Sequence, residues 1–142
     1  MDTASGTLPG TTHKGRPMDQ LKTYAPLVTR IFLAAIFIPA GLGKMGDVAG
    51  FTGYLTSGGL PAILAWPTIL FEIILGVSML IGYQARIMAV LGAGFCLLAA
   101  ALYHNNLADQ IQAAMFFKNL GVAGAFLMIF AHGPGKLALD KA

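Results

Sequence analysis

The chain has 142 residues, of which 56% are hydrophobic and only 11% are charged, whereas about a quarter of the residues in a soluble domain are charged. Five of the 15 formal charges lie in residues 1–24 and three in residues 136–142, which leaves seven for residues 25–135. This distribution excludes a disordered chain, a nucleic-acid-binding protein and an ordinary soluble enzyme. It indicates a polytopic membrane protein, since a charge at the centre of a transmembrane helix costs about 2.5–3.5 kcal/mol.

The first 24 residues differ in composition from the rest of the chain. They are rich in glycine, threonine, proline and charged residues, and they contain no apolar run. Such a segment cannot bury enough apolar surface to offset the entropy of ordering it. We therefore expect residues 1–24 to form a disordered tail.

Four apolar segments follow, at residues 25–44, 61–82, 85–104 and 113–132. A bilayer core about 30 Å thick requires roughly 20 helical residues, and lipid cannot satisfy an unpaired backbone group. The sequence therefore predicts an all-α fold, an integral membrane four-helix bundle over residues 25–135, followed by a short tail at residues 136–142.

The loop between the first two spans, residues 45–60, has its own pattern. Asp47 is a suitable cap for a short helix, and the Gly58-Gly59 pair is a suitable end for one. Such a helix brings three apolar residues to one face: Phe51, Tyr54 and Leu55. We predict a short amphipathic helix at the outer interface that closes the bundle. An irregular loop with an aromatic anchor is the alternative.

The basic residues outside the spans are unevenly distributed between the two sides. Six lie on the side of the chain termini: Lys14, Arg16, Lys22, Arg86, Lys136 and Lys141. The opposite side has Lys44, with Lys118 slightly inside the fourth span. Cytoplasmic segments carry an excess of lysine and arginine. We therefore expect a multi-pass protein of the bacterial inner membrane with both termini in the cytoplasm.

Charged and polar residues within the spans recur at helical spacing. Arg30 and Lys44 are two heptads apart and share one face of the first span, and Lys118 and His132 do so in the fourth. Arg86 and His104 are 18 residues, or five turns, apart in the third span. Such stripes should face the bundle interior, because facing lipid would cost several kcal/mol per residue.

Glu72 lies near the middle of the second span, at a depth that we estimate from a rise of about 1.5 Å per residue. Its depth differs from those of Arg30 and Lys118 by about 6–9 Å on the same scale. We predict that Glu72 is the centre of an intramembrane polar network and is paired with either Arg30 or Lys118. A purely structural salt bridge is the alternative.

Several polar residues have a structural interpretation beside the functional one. Those at span ends can extend to the lipid headgroups or cap a helix: Lys44, Arg86, His104 and His132. For the neighbouring Lys118 and Asn119 both interpretations stay open. His104 and His132 lie on opposite sides of the membrane, and no Cys/His cluster has metal-ligand spacing. We therefore predict no haem and no metal site.

Residues 27–141 carry an ordered set of short motifs. They are Arg30 with the ending Gly41-x-Gly43-Lys44, the segment Gly50-Phe51…Tyr54-Leu55…Gly59-Leu60-Pro61, Glu72 with Gly76, Arg86, Phe117-Lys118-Asn119-Leu120, and Gly133-Pro134-Gly135-Lys136-Leu137-Ala138-Leu139-Asp140. In this order they resemble the DoxX family of small four-span bacterial membrane proteins. The resemblance implies a role in quinone-linked oxidation, notably as the membrane subunit of thiosulfate:quinone oxidoreductase, or in membrane assemblies for oxidative-stress defence. The wider group also includes non-enzymatic, chaperone-like proteins.

The first functional hypothesis is a redox membrane subunit that binds a quinone headgroup in the polar interior of the bundle. In it Glu72 passes a proton and Lys118 donates to a quinone carbonyl, and four residues complete the ligand site: Arg30, Lys44, His104 and Asn119. The alternative is a non-enzymatic membrane scaffold or assembly factor, in which the charges only lock the bundle. Both hypotheses require contact with membrane lipid, and both are compatible with a redox or stress-related partner protein and with a homo-oligomer.

Overall fold

The computed structural model describes residues 15–141, and all its regular structure within that range is helical. The elements in chain order are α1 (Pro17–Gly46), α2 (Val48–Ser57), a short 3-10 turn (Ala62–Leu64), α3 (Ala65–Ile81), α4 (Ala85–Tyr103) and α5 (Gln110–His132). Helices α1, α4 and α5, and α3 together with its preceding turn, are long and apolar enough to cross a membrane. The predicted all-α membrane bundle is confirmed.

Helix α1 begins earlier than the composition suggests. It starts at Pro17, eight residues before the predicted first span, so residues 17–24 are helical rather than disordered. Proline is favoured at the first helical position, and Asp19 in the first turn complements the positive end of the helix dipole. Residues 1–14, where the rest of the expected tail lies, are outside the described part of the chain.

The four long helices form two antiparallel pairs, α1 with α3 and α4 with α5. The first pair is close because Gly41 lies against Ile73 and Gly76 lies against Ile38. The core between the pairs contains large apolar side chains opposite small ones on α4, as in many membrane helix interfaces: Leu33, Phe37, Leu75, Met79, Phe126, Ala89 and Ala93. Near the α2 end, the bundle also surrounds a cavity.

Helix α2 confirms the predicted short helix in the first loop. The Asp47 carboxylate caps it by accepting a hydrogen bond from the Gly50 amide at 2.9 Å, and the helix ends before Gly58. Phe51 and Leu55 are buried against the start of α3. The alternative of an irregular loop is therefore wrong, and α2 covers one end of the bundle.

The C-terminal segment, residues 133–141, packs across the opposite end, and we call it the C-terminal strap. Its Asp140 carboxylate accepts hydrogen bonds from the backbone amides of Gln84 (2.8 Å) and Ala85 (2.7 Å), which caps the N-terminus of α4. The Leu139 amide also donates to the Ile81 carbonyl at 3.0 Å. The expected tail at 136–142 is thus, over its described residues, part of the folded bundle.

The close approach of α1 and α3 predicts opposite effects for two glycines on one helix. A Cβ at Gly41 would lie 2.6 Å from Cγ1 of Ile73 and 3.2 Å from the carbonyl oxygen of Ile69, whereas a Cβ at Gly43 would meet nothing within 4 Å. Replacing glycine by alanine stabilises a helix by about 1 kcal/mol at either position. At Gly41, however, the added methyl group overpacks the helix interface, which costs about 1–3 kcal/mol. We expect Gly41→Ala to lower the melting temperature of the purified protein and the matched Gly43→Ala to raise it or leave it unchanged. Equal melting temperatures for the two variants would contradict this packing.

Candidate functional site

A cavity of about 380 Å³ lies between the two helix pairs, beneath α2. Most of its wall is apolar or aromatic and includes Phe37 of α1 and Phe95 of α4, whose rings meet edge to face with centroids 6.2 Å apart. Small-molecule sites are typically concave, mostly apolar and supplied with a few convergent polar groups. The cavity has this character, and its polar groups come from all four long helices.

The strongest polar contact in the cavity wall joins α1 to α3. The Lys44 ammonium lies 2.8 Å and 2.7 Å from the two carboxylate oxygens of Glu72. The Glu72 side chain is only 5% exposed and that of Lys44 is 27% exposed. The ring of Phe51, from α2, lies 5.3 Å from the same ammonium, so α2 covers the ion pair with an aromatic face.

The predicted partner of Glu72 was therefore wrong: the carboxylate pairs with Lys44, not with Arg30 or Lys118. The error comes from the register between α1 and α3. Because Gly41 packs against Ile73, Glu72 lies less than one turn from the level of Lys44. The lysine has a flexible four-carbon stem, and it bends back toward the carboxylate instead of extending to the headgroups.

Lys118 and Asn119 of α5 also line the cavity, and Lys118 belongs to a stripe that the sequence predicted to face the bundle interior. The Asn119 amide nitrogen donates to the Met115 carbonyl at 3.0 Å, one turn earlier in the same helix. Among residues 15–141, the Lys118 side chain makes no hydrogen bond and no ion pair, and it is exposed. It is the second cationic group at the cavity.

His104 lines the cavity at the end of α4. Its Nδ1 lies 3.0 Å from the amide oxygen of Gln112 at the start of α5. An amide oxygen only accepts hydrogen bonds, so this contact is a hydrogen bond in the tautomer that carries a proton on Nδ1, and Nε2 is then the ring nitrogen left for another partner. Five of the six predicted site residues thus line one cavity: Glu72, Lys118, Lys44, His104 and Asn119.

Arg30, the sixth predicted site residue, lies at the other end of the bundle. Its side chain is fully buried, and its guanidinium donates to the carbonyl of Met79 at 3.3 Å and to the carbonyl of Leu137 in the C-terminal strap. The predicted ligand-binding role conflicts with this position, because these contacts hold the strap to α3. A buried guanidinium can donate hydrogen bonds to backbone carbonyls as well as to a carboxylate, and a sequence pattern does not distinguish the two.

Arg86 and His132 have capping contacts, one of the two interpretations given for them from sequence. The Arg86 guanidinium donates to the carbonyls of Phe130 and Ala131 in the last turn of α5. A cation in this position also interacts favourably with the negative end of the helix dipole. These residues complete the strap end of the bundle and do not line the cavity.

Two tyrosines belong to the cavity in a way that the sequence did not indicate. The rings of Tyr54 and Tyr103 are stacked with centroids 4.8 Å apart, and the Tyr103 hydroxyl donates to the Leu55 carbonyl at 2.6 Å. Desolvation and the neighbouring Tyr103 raise the pKa of the Tyr54 phenol above its ordinary value. Tyr54 was predicted only as part of the α2 face; the position of Tyr103 next to His104 was the available signal for the second ring.

A double-mutant cycle tests the Lys44–Glu72 pair. We expect Lys44→Met and Glu72→Leu each to lower the free energy of unfolding by about 1–3 kcal/mol, less than the cost for a fully buried pair because Lys44 is partly exposed. The double variant should lose less than the sum of the two, because neither charge is left unpaired. Denaturant unfolding of the four proteins in one detergent measures the coupling, and strictly additive losses would show that the pair contributes nothing.

Comparisons with known proteins show which family the chain resembles and where its relatives are located. The family model described as DoxX matches residues 25–105, which include both members of the ion pair. The chain is 38% identical over 124 residues to "Inner membrane protein YqjF" of Escherichia coli (strain K12), covering 87% of this chain and 95% of that protein. It is 32% identical over 122 residues to "Inner membrane protein YphA" of the same organism, covering 81% of this chain and 87% of that protein. No solved structure gives a significant match.

Proposed function

Because this chain belongs to the DoxX family, we propose that it is an inner-membrane protein whose cavity binds the headgroup of a quinone. In this proposal it serves as the membrane subunit of a quinone-linked oxidoreductase or of an oxidative-stress assembly. The names of both relatives support the location. Contact with membrane lipid follows from the four apolar spans.

The observation that carries the proposal is a cavity that combines an aromatic wall with a buried ion pair and further polar groups. A quinone presents a flat ring, two carbonyl acceptors and an apolar tail. The volume of about 380 Å³ lies within the usual range of roughly 300–1,000 Å³ for small-molecule sites. Phe37 and Phe95 are available to pack on the ring, and Lys118 and Asn119 are available as donors to a carbonyl oxygen.

The ion pair gives the proposed site a route for protons. Reduction of a quinone to a quinol takes up two electrons and two protons, and the electrons come from a redox partner protein that is oxidised. The Lys44 ammonium donates hydrogen bonds to both oxygens of the Glu72 carboxylate at 2.7–2.8 Å. In this proposal Glu72 takes up the two protons one at a time and passes each to the reduced quinone, and Lys44 balances the negative charge of the carboxylate whenever Glu72 is deprotonated.

A scaffold or assembly factor is the second candidate function. The Lys44–Glu72 pair joins α1 to α3, and the contacts of Arg30 and Asp140 fix the C-terminal strap. All these interactions would serve equally well in a bundle whose only role is to hold partner proteins. The two functions differ in their dependence on a ligand in the cavity.

Quinone binding is tested by thermal unfolding of the purified protein with short-chain ubiquinone and menaquinone analogues. We expect a saturable rise in melting temperature of a few degrees, because a ligand that binds only the folded state stabilises it. Glu72→Gln should abolish the rise. Ala99→Phe, which adds bulk to the cavity wall, should abolish it without breaking the ion pair, whereas Ala101→Phe on the lipid-exposed side of α4 should retain it.

Two results would reject this function in favour of the scaffold. One is the absence of stabilisation by either analogue. The other is stabilisation that Ala99→Phe and Ala101→Phe reduce equally, because the ligand would then be bound outside the cavity. The carboxylate control is Asp19→Asn, a change of the same chemistry in the exposed first turn of α1.

The membrane orientation is part of the proposal. Arg86, Lys136 and Lys141 lie at the strap end of the bundle, whereas Lys44 at the α2 end is engaged with Glu72. The positive-inside tendency then places the strap end, and both termini, in the cytoplasm. We expect alkaline phosphatase fused after Ala142 to be inactive and a fluorescent protein fused there to be bright. An active phosphatase fusion would reverse the orientation.

A further inference from the structure

The charges that line the cavity do not balance. Two lysines and one glutamate face it, which gives a formal charge of +1 with His104 neutral. Lys44 and Glu72 neutralise each other at hydrogen-bond distance. The excess positive charge therefore belongs to Lys118.

Lys118 is in an unusual environment for an ammonium group. It lies in the third turn of α5, a helix with an apolar composition, and within residues 15–141 no carboxylate lies close enough to form an ion pair with it. A cation within the membrane normally pairs with an opposite charge, a backbone carbonyl or water in a cavity. The cavity is the polar environment that this structure offers to Lys118.

The polar groups around the cavity are divided between the two helix pairs. The neutral ion pair comes from α1 and α3, and the excess cation comes from α5 with Asn119 beside it. Between them lie aromatic side chains such as Phe95. A ligand that satisfies both halves has a ring in the aromatic part and a negatively charged oxygen on the α5 side.

We propose that the cavity selects an anionic quinoid ligand, a ring compound with one ionised oxygen that is held by the Lys118 ammonium. This inference rests on the proposed quinone function and specifies its ligand class. A charge-assisted hydrogen bond is roughly twice as strong as a neutral one. The charge of Lys118 therefore discriminates between ligands of the same shape.

Two naphthoquinones of nearly the same size make the test specific to charge. Lawsone carries a hydroxyl group that is ionised at neutral pH, whereas menadione carries a methyl group and is neutral. Each is titrated by calorimetry into the full-length protein in nanodiscs of zwitterionic lipid. We expect lawsone to bind at least about tenfold more tightly than menadione, which corresponds to about 1.4 kcal/mol.

Three variants assign the preference to Lys118. Lys118→Gln should lower the affinity for lawsone about tenfold and that for menadione by much less, because glutamine keeps a neutral donor for a carbonyl oxygen, whereas Lys118→Arg should keep the preference. Lys22→Gln, the same change at an exposed position of α1 outside the cavity, should have no effect. Because Lys118 makes no ion pair in the described chain, its replacement is not expected to unfold the protein.

The possible results separate this inference from the quinone function itself. Equal binding of the two compounds that is unchanged in Lys118→Gln overturns the inference but leaves quinone binding intact. A preference for lawsone that persists in Lys118→Gln, or that Lys22→Gln also removes, overturns the inference, because a group other than Lys118 then recognises the ionised oxygen of lawsone. Failure of both compounds to bind overturns the inference and the quinone function together.

Discussion

The ion pair between Lys44 and Glu72 is the interaction on which the rest of the bundle depends. A carboxylate near the centre of an apolar span is costly unless it is paired, so its position requires a cation within reach. Only a narrow range of α1–α3 registers brings the Lys44 ammonium to within 2.8 Å of both carboxylate oxygens. The glycine contacts at Gly41 and Gly76 allow the backbones to approach in that register. The ion pair and the small residues therefore specify the same register between α1 and α3.

The two ends of the bundle are closed by different kinds of contact, and this confines the available chemistry to one of them. At the strap end, Arg30 binds carbonyl groups and the Asp140 carboxylate binds backbone amides. The Asp140 carboxylate is satisfied by these amides, whereas Nε of Arg30 is buried without a hydrogen-bond partner among the described residues. At the other end α2 covers the bundle with apolar side chains, and the polar groups beneath it face a cavity. The candidate site is located at the α2 end because polar side chains there line a cavity large enough for a small molecule.

The sequence predicted the elements better than it predicted their register. Span length, the Asp47 cap and the positions of Glu72, Lys118 and His104 on inward faces follow from periodicity and local chemistry, which act over a few residues. The partner of Glu72 does not, because a shift of a few residues between two antiparallel helices changes which side chains meet. Arg30 binds Leu137, 107 residues further along the chain, and nothing in the local pattern indicates that contact. Local rules therefore identified the candidate residues, and only the tertiary packing showed which of them share a site.

The ion pair and the cavity bear differently on the two proposed functions. An ion pair in the interior adds little to stability compared with apolar residues of the same volume, so stability alone does not explain Lys44 and Glu72. A molecule bound in the cavity of about 380 Å³ would add packing contacts that the fold itself does not supply to the lining. Under the proposed function, a lipid chain is a poor occupant beside an ion pair and the additional ammonium of Lys118. A compound that is apolar over most of its surface and charged or polar at one edge matches both the apolar wall of the cavity and its polar groups.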